Sequence, residues 1–177
     1  MRELFVMDKN NYKAGGTVGR RPSVRGIIIK GHKLAMIHSL KYHYYKLPGG
    51  GIEGEESLEE TLVREVKEES GLVVLKNSIQ EFGYVKRIEK GKYEDIFLQE
   101  NYYFLCEAHE IIEEQNLDDY ENEEQFVLEF VTPDKAIRVN RESNHYEKSD
   151  NEIFRGMIER ENRVLEIVKE EVFQMFT

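Results

Sequence analysis

Three glutamates, Glu65, Glu68 and Glu69, stand at i, i+3 and i+4 within residues 47–72, LPGGGIEGEESLEETLVREVKEESGL. On a helix this spacing gathers them within an arc of about 100°. Neighbouring carboxylates repel by roughly a few tenths of a kcal/mol per pair even when exposed, and a bound divalent cation reverses that sign. Hard oxygen ligands at this density suit Mg²⁺ or Mn²⁺, ions whose shells are commonly completed by phosphate oxygens. Gly49, Gly50 and Gly51 present no side chain to obstruct a metal or a pyrophosphate, and their amides and carbonyls can face inward. Arg64 flanks the arc, placed to pair with Glu60 or Glu68 or to brace a loop carboxylate such as Glu56.

Glutamate accounts for 29 of the 177 residues, and adjacent Glu-Glu pairs occur six times, so a pair alone marks only a solvated face. The full spacing is far more specific. From Gly50 it runs across five residues to Glu56 and seven more to Arg64-Glu65-Val66-Lys67-Glu68-Glu69-Ser70-Gly71-Leu72. The composition of the chain gives that arrangement a chance occurrence of about two in a million.

The spacing resembles the Nudix hydrolase signature, G-x5-E-x7-R-E-U-x-E-E-x-G-U, at every specified position from Gly50 to Leu72. The resemblance implies a Nudix-type α/β/α sandwich and a MutT-like pyrophosphohydrolase. Its substrate would be a nucleoside diphosphate linked to another moiety, such as a nucleotide, a nucleotide sugar or a related diphosphate. It also implies metal-ligand positions for Glu65, Glu68 and Glu69, joined by the Gly49 carbonyl, with Arg64 and Glu56 as the orienting pair and Mg²⁺ or Mn²⁺ as cofactor. One departure is that Gly54 stands a residue early, leaving Glu55 directly before Glu56. Some members of the family draw the general base from a distal loop, for which Glu123 and Glu124 are the candidates here.

Substrate contacts are expected from Gly50 and Gly51 and from Arg25, with Arg20 and Arg21 nearby in a basic stretch. Tyr42, Tyr44, Tyr45 and Tyr84 could stack a base, although strand aromatics usually fill cores. His38 and His43 lack any ligand spacing and are assigned no role. Without tryptophan and with one cysteine, the chain cannot carry the zinc ribbon of the NADH-cleaving branch. No proline lies between Pro48 and Pro133, which argues against the ADP-ribose branch with its proline after the box. Two other classes stand beside the enzyme: a non-catalytic Nudix-like sensor that binds a nucleotide or nucleotide sugar and regulates a partner, and an interaction protein whose acidic helix merely solubilises it.

The elements needed to position these groups are legible as patterns. Ser57 and Glu60 form a capping box for a helix over 57–70, Leu58, Leu62 and Val66 repeat along it, and Gly71 occupies a C′ position. Strands are expected near 3–8, 23–30, 33–38, 43–47, 81–89, 95–107 and 126–131, with a short helix opened by Thr132-Pro133. Residues 109–125 read as an acidic surface loop. A last amphipathic helix over 151–174 carries Ile153, Met157, Ile158, Leu165, Val168 and Val172 on one side, able to pack on the domain or to pair with a second copy in a homodimer.

Together these elements predict one α/β domain over 1–177, a mixed sheet covered on both faces with an additional C-terminal helix. Residues 1–50 hold ten basic and two acidic side chains, whereas 51–177 hold fifteen and thirty-three, for a net charge of -10. That balance excludes an extended nucleic-acid surface and suits a polyanionic small molecule held between basic groups and acid-bound metal. No apolar run reaches the roughly 18 residues of a membrane span, and the N-terminus carries no export signal. The single thiol, Cys106, sits in an apolar run, and a cytoplasmic location is expected.

Overall fold

The computed structural model describes residues 1–142 and 151–174. Strands β1 (Glu3–Asp8), β2 (Val18–Arg20), β3 (Ser23–Lys30), β4 (Lys33–Ser39) and β5 (Tyr44–Lys46) precede helix α1 (Leu58–Ser70). Then come β6 (Leu72–Val74), β7 (Gln80–Glu89), β8 (Ile96–Cys106), β9 (Ala108–Ile112) and α2 (Asp119–Glu124). Strand β10 (Phe126–Val131) and helices α3 (Pro133–Glu142) and α4 (Asn151–Val168) complete the order, with α4 prolonged by a π-helical turn, Lys169–Phe173.

The main sheet runs β1-β7-β8-β3-β4-β10, with β2 against β8 and β5 against β4, while β6 and β9 form a separate pair. β3 lies parallel to β8 and β1 parallel to β7; β4 is antiparallel to both β3 and β10. Period-two alternation splits each central strand between two cores. On one side Leu62 and Val66 of α1 meet Val24, Ile28, Ala35 and Phe104. On the other, Ala136 and Ile137 of α3 and Val164, Leu165 and Val168 of α4 meet Ile27, Leu34, Met36 and Tyr103. The sheet is thus mixed and covered on both faces, as the sequence predicts. The apolar stripe of α4 is used on its own sheet; the side chain of Ile153 lies outside the described residues.

Helix α1 begins where its residues dictate. Ser57 Oγ accepts the Glu60 N–H and the Glu60 side chain accepts the Ser57 N–H, while Gly71 ends the helix at φ 74° with its N–H on the Lys67 carbonyl. Gly26 admits the helix to the sheet, since a Cβ there would lie 2.9 Å from Val66 Cγ2.

The expected loop over 109–125 is corrected: it contains all of β9 but its first residue, and helix α2. Its acidic composition conceals a second capping box, Asp118 with Glu121, and the buried Glu121 and Glu124 are satisfied by hydrogen bonds rather than by water. β2 and β6, three residues each, are too short for periodicity to reveal. Among the described residues no helix is long and apolar enough to cross a membrane.

Candidate active site

β3 and β4 pair only at Ile29/Leu34 and Lys30/Lys33 and then part. The glycine loop fills the opening: Val24 N–H donates to the Gly50 carbonyl and Gly26 N–H to the Pro48 carbonyl, both at 2.9 Å. Gly49 is required there, with φ 141° and a hypothetical Cβ only 2.1 Å from the Val24 carbonyl oxygen. Gly50 faces α1 so closely that a Cβ would strike the Glu65 carboxylate.

Arg64 holds the acidic face of α1 together. Its Nε and Nη2 donate to the two oxygens of Glu56 at 2.7 and 2.8 Å, Nη1 donates to Glu65 at 2.8 Å and Glu68 at 3.0 Å, and Nη2 also reaches the Gly51 carbonyl at 3.1 Å. The guanidinium holds Glu56 well below the usual carboxylate range, at about 2, and is itself pushed up in turn, chiefly by Glu56. The orienting pair implied by the resemblance is therefore in contact. The Glu55 before Glu56 does not disturb it, because Gly54 takes the positive φ of 54° that the turn needs.

Glu69 is nearly inaccessible, at 1% exposure. Lys46 of β5 donates to one oxygen at 2.5 Å and the Gly49 amide to the other at 2.9 Å. Burial raises the pKa of Glu65, with the charge of Glu69 adding to it and Arg64 opposing it.

The side chain that the sequence did not single out is Glu121, on α2. It accepts hydrogen bonds from the Tyr120 hydroxyl and the Asp118 amide, both at 2.9 Å, and is 5% exposed. Burial, followed by the negative charge of Glu69, pushes its carboxyl up to about 7. The two distal candidates lie otherwise. Glu123 is exposed and paired with Lys41 at 2.6 Å, and Glu124 is buried, accepting from the Tyr44 hydroxyl at 2.7 Å and more loosely from Ser39. The Asp118-x-x-Glu121 capping signature was the available sign that this stretch folds, but nothing in it marks Glu121 as facing Glu69.

Beyond the glycines opens a cleft of about 240 Å³, lined by Arg21, Ser23, Arg25, Gly49, Gly50, Gly51, Arg87, Phe97, Gln99, Tyr120, Met157 and Arg160. Arg25, expected as a substrate contact, lines this cleft beside Gly50 and Gly51; Arg87 and Arg160 were not foreseen, coming from β7 and α4. One sign was present: Gly156, inside an amphipathic helix, lets the Arg87 guanidinium in, with a hypothetical Cβ 3.1 Å from its Nη2. Two roomier grooves, about 510 and 410 Å³, flank α4 against β1 and α3, but neither touches a box residue. Of the tyrosines, Tyr44 and Tyr45 are core residues, and Tyr45 stacks on His38 at 4.3 Å. Among the described residues no three Asp, Glu, His or Cys side chains form a ready-made metal cage.

A family model, the NUDIX domain, matches residues 19–153, which include the whole box, α2 and the sheet around the cleft. The chain belongs to the NUDIX domain family. It is a Nudix hydrolase with every charged position of the box in place. A NUDIX hydrolase from Nitrosomonas europaea shares the fold at a TM-score of 0.53, with 16% identity over 70% of this chain and 79% of that one. The MutT protein from Bacillus halodurans aligns at 0.48, with 18% identity over 67% of this chain and 72% of its own. MutT NUDIX hydrolase from Burkholderia pseudomallei aligns at 0.48, with 18% identity over 66% and 85%. A search of curated protein sequences finds no match.

Proposed function

We propose that this Nudix hydrolase is an Mg²⁺- or Mn²⁺-dependent pyrophosphohydrolase acting on a nucleoside diphosphate linked to another group. The observation that carries the reading is the juxtaposition of the Arg64-held carboxylates with a side-chain-free glycine loop at the mouth of an arginine-lined cleft.

The donor set fits a divalent cation by its chemistry. Glu65 and Glu121 both bear pKa values raised by burial and by the charge of Glu69, a state that added positive charge relieves. Glu65, Glu68, Glu69 and the Gly49 carbonyl would hold the ion, with Arg64 and Lys46 yielding oxygens they now engage. When bound, such an ion lowers the pKa of water and neutralises charge that develops on phosphorus.

The chain's own groups do the rest. Glu121, poised near neutrality, takes the proton from the attacking water. The water oxygen bonds to phosphorus, the bridging P–O bond breaks, and the leaving phosphate departs with the electron pair. Backbone groups of Gly49–Gly51 face the diphosphate.

Incubation with Mg²⁺ and a panel of nucleoside diphosphate derivatives should release a monophosphate, and Glu121→Gln should lower kcat about 10² to 10⁴-fold. A ligand-induced rise in melting temperature with no product from any compound would instead favour the sensor reading. We further infer a cytoplasmic location, which suits a chain whose single thiol, Cys106, is buried in the core with its pKa pushed up to about 12.

A further inference from the structure

The geometry points to a substrate that carries, beyond the diphosphate that is cut, at least one further phosphate seated on the arginine wall of the cleft. This rests on the pyrophosphohydrolase reading and narrows it to a class of substrates. Four guanidinium groups from three parts of the chain, Arg21 and Arg25 around the start of β3, Arg87 on β7 and Arg160 on α4, line the cleft, and no carboxylate does. Metal bound by the carboxylates of α1 would serve the diphosphate at the glycine loop, which leaves the arginine wall without an assigned anion.

Charge arithmetic indicates what fits. Arg87 is paired with Glu89 at 2.6 Å and Arg160 with Glu161 at 3.0 Å. Four positive charges against two negative ones leave +2, and a phosphate monoester brings about -1.5 to -2. Arg25 supplies the sharpest sign. It forms no ion pair among the described residues, and its Nε and Nη1 are buried without a hydrogen-bond acceptor; the Nε of Arg160 is in the same condition. Donors left this way carry a desolvation cost that only an anionic or strongly accepting ligand removes. A neutral sugar offers weaker acceptors and no charge, whereas a phosphate meets the planar fork of a guanidinium with two oxygens. Phe97 and Met157 supply apolar surface for the uncharged skeleton.

Two matched pairs test this. NADP against NAD adds the phosphate on a sugar, and diadenosine triphosphate against diadenosine diphosphate adds it within the chain. Binding to the full chain in EDTA, where metal makes no contribution, should be tighter by about tenfold for the more phosphorylated member of at least one pair, and the pair that responds tells where the extra phosphate sits. Arg25→Gln and, as a solvent-exposed alternative should that variant fold poorly, Arg21→Gln should shrink the ratio toward one. Equal affinities within both pairs, or a preference that both variants leave intact, would overturn the inference. Turnover with Mg²⁺ but no preference overturns the extra phosphate alone; no turnover on any compound overturns the hydrolase reading and this one with it.

Discussion

Glu65 and Glu69 lie four residues apart on one helix, yet the same substitution should do opposite things to them. Glu69→Gln strands the buried Lys46 ammonium, and breaking such a pair costs about 3 to 5 kcal/mol. Glu65→Gln removes a carboxylate whose charged form is already disfavoured by burial. Thermal unfolding in EDTA should show Glu69→Gln well below the parent and Glu65→Gln at or above it, while both lose activity. Glu121 gives the pH dependence. Its folded pKa is raised from 4.5 to about 7, so the stability it contributes is full below pH 4.5 and is lost as the pH rises to 7, by at most about 3 kcal/mol. Metal-free protein should therefore melt at falling temperature across that window, and Glu121→Gln should flatten the fall. A curve that Glu121→Gln leaves unchanged would refute the assignment. The box residues were legible because their chemistry requires a fixed spacing on one helix. Glu121 and Arg160 were not, because they reach the site through packing of distant segments, which leaves no period in the sequence.

Helix α1 and the strands around it were legible at the level of elements, since caps and alternation are local properties: Ser57, Glu60 and Gly71 mark the helix ends without tertiary information. The short strands and α2 were hidden, the latter because buried acids look like surface ones until their donors, such as Tyr44, are known. The glycine loop belongs to this scale, because it acts as a stretch of sheet. Gly49→Ala would force a Cβ into the Val24 carbonyl at a positive φ, so it should expel the loop from β3. Circular dichroism should still report a folded α/β chain, destabilised by about 2 kcal/mol or more, and hydrolysis should be lost. Wild-type activity with Ala at this position would contradict the account of the loop.

Across the whole molecule, a sheet covered on both faces divides the work: α1 supplies acids from one side, and α4 reaches over the other to supply Arg160 and make room for Arg87. The opposite charges of the two ends of the sequence suggest a polyanion held between them, whereas the basic wall recruits Arg87 and Arg160 from the acidic part. Gly156→Ala tests the link. Alanine favours the helix by up to about 1 kcal/mol, while its Cβ presses on the flexible end of Arg87. Equal or greater stability with a raised KM and an unchanged kcat is the expected outcome, and an unchanged KM would detach α4 from substrate binding.

The parting of β3 and β4 also equips the protein with its own reporter. The amides of Val24 and Gly26 are tied to carbonyls of the glycine loop rather than to a neighbouring strand. In deuterium-exchange experiments they should be as slow as amides in the middle of β8. They should quicken together whenever the loop lifts, so that a measurement on the interior of a strand reads the integrity of the loop beside it.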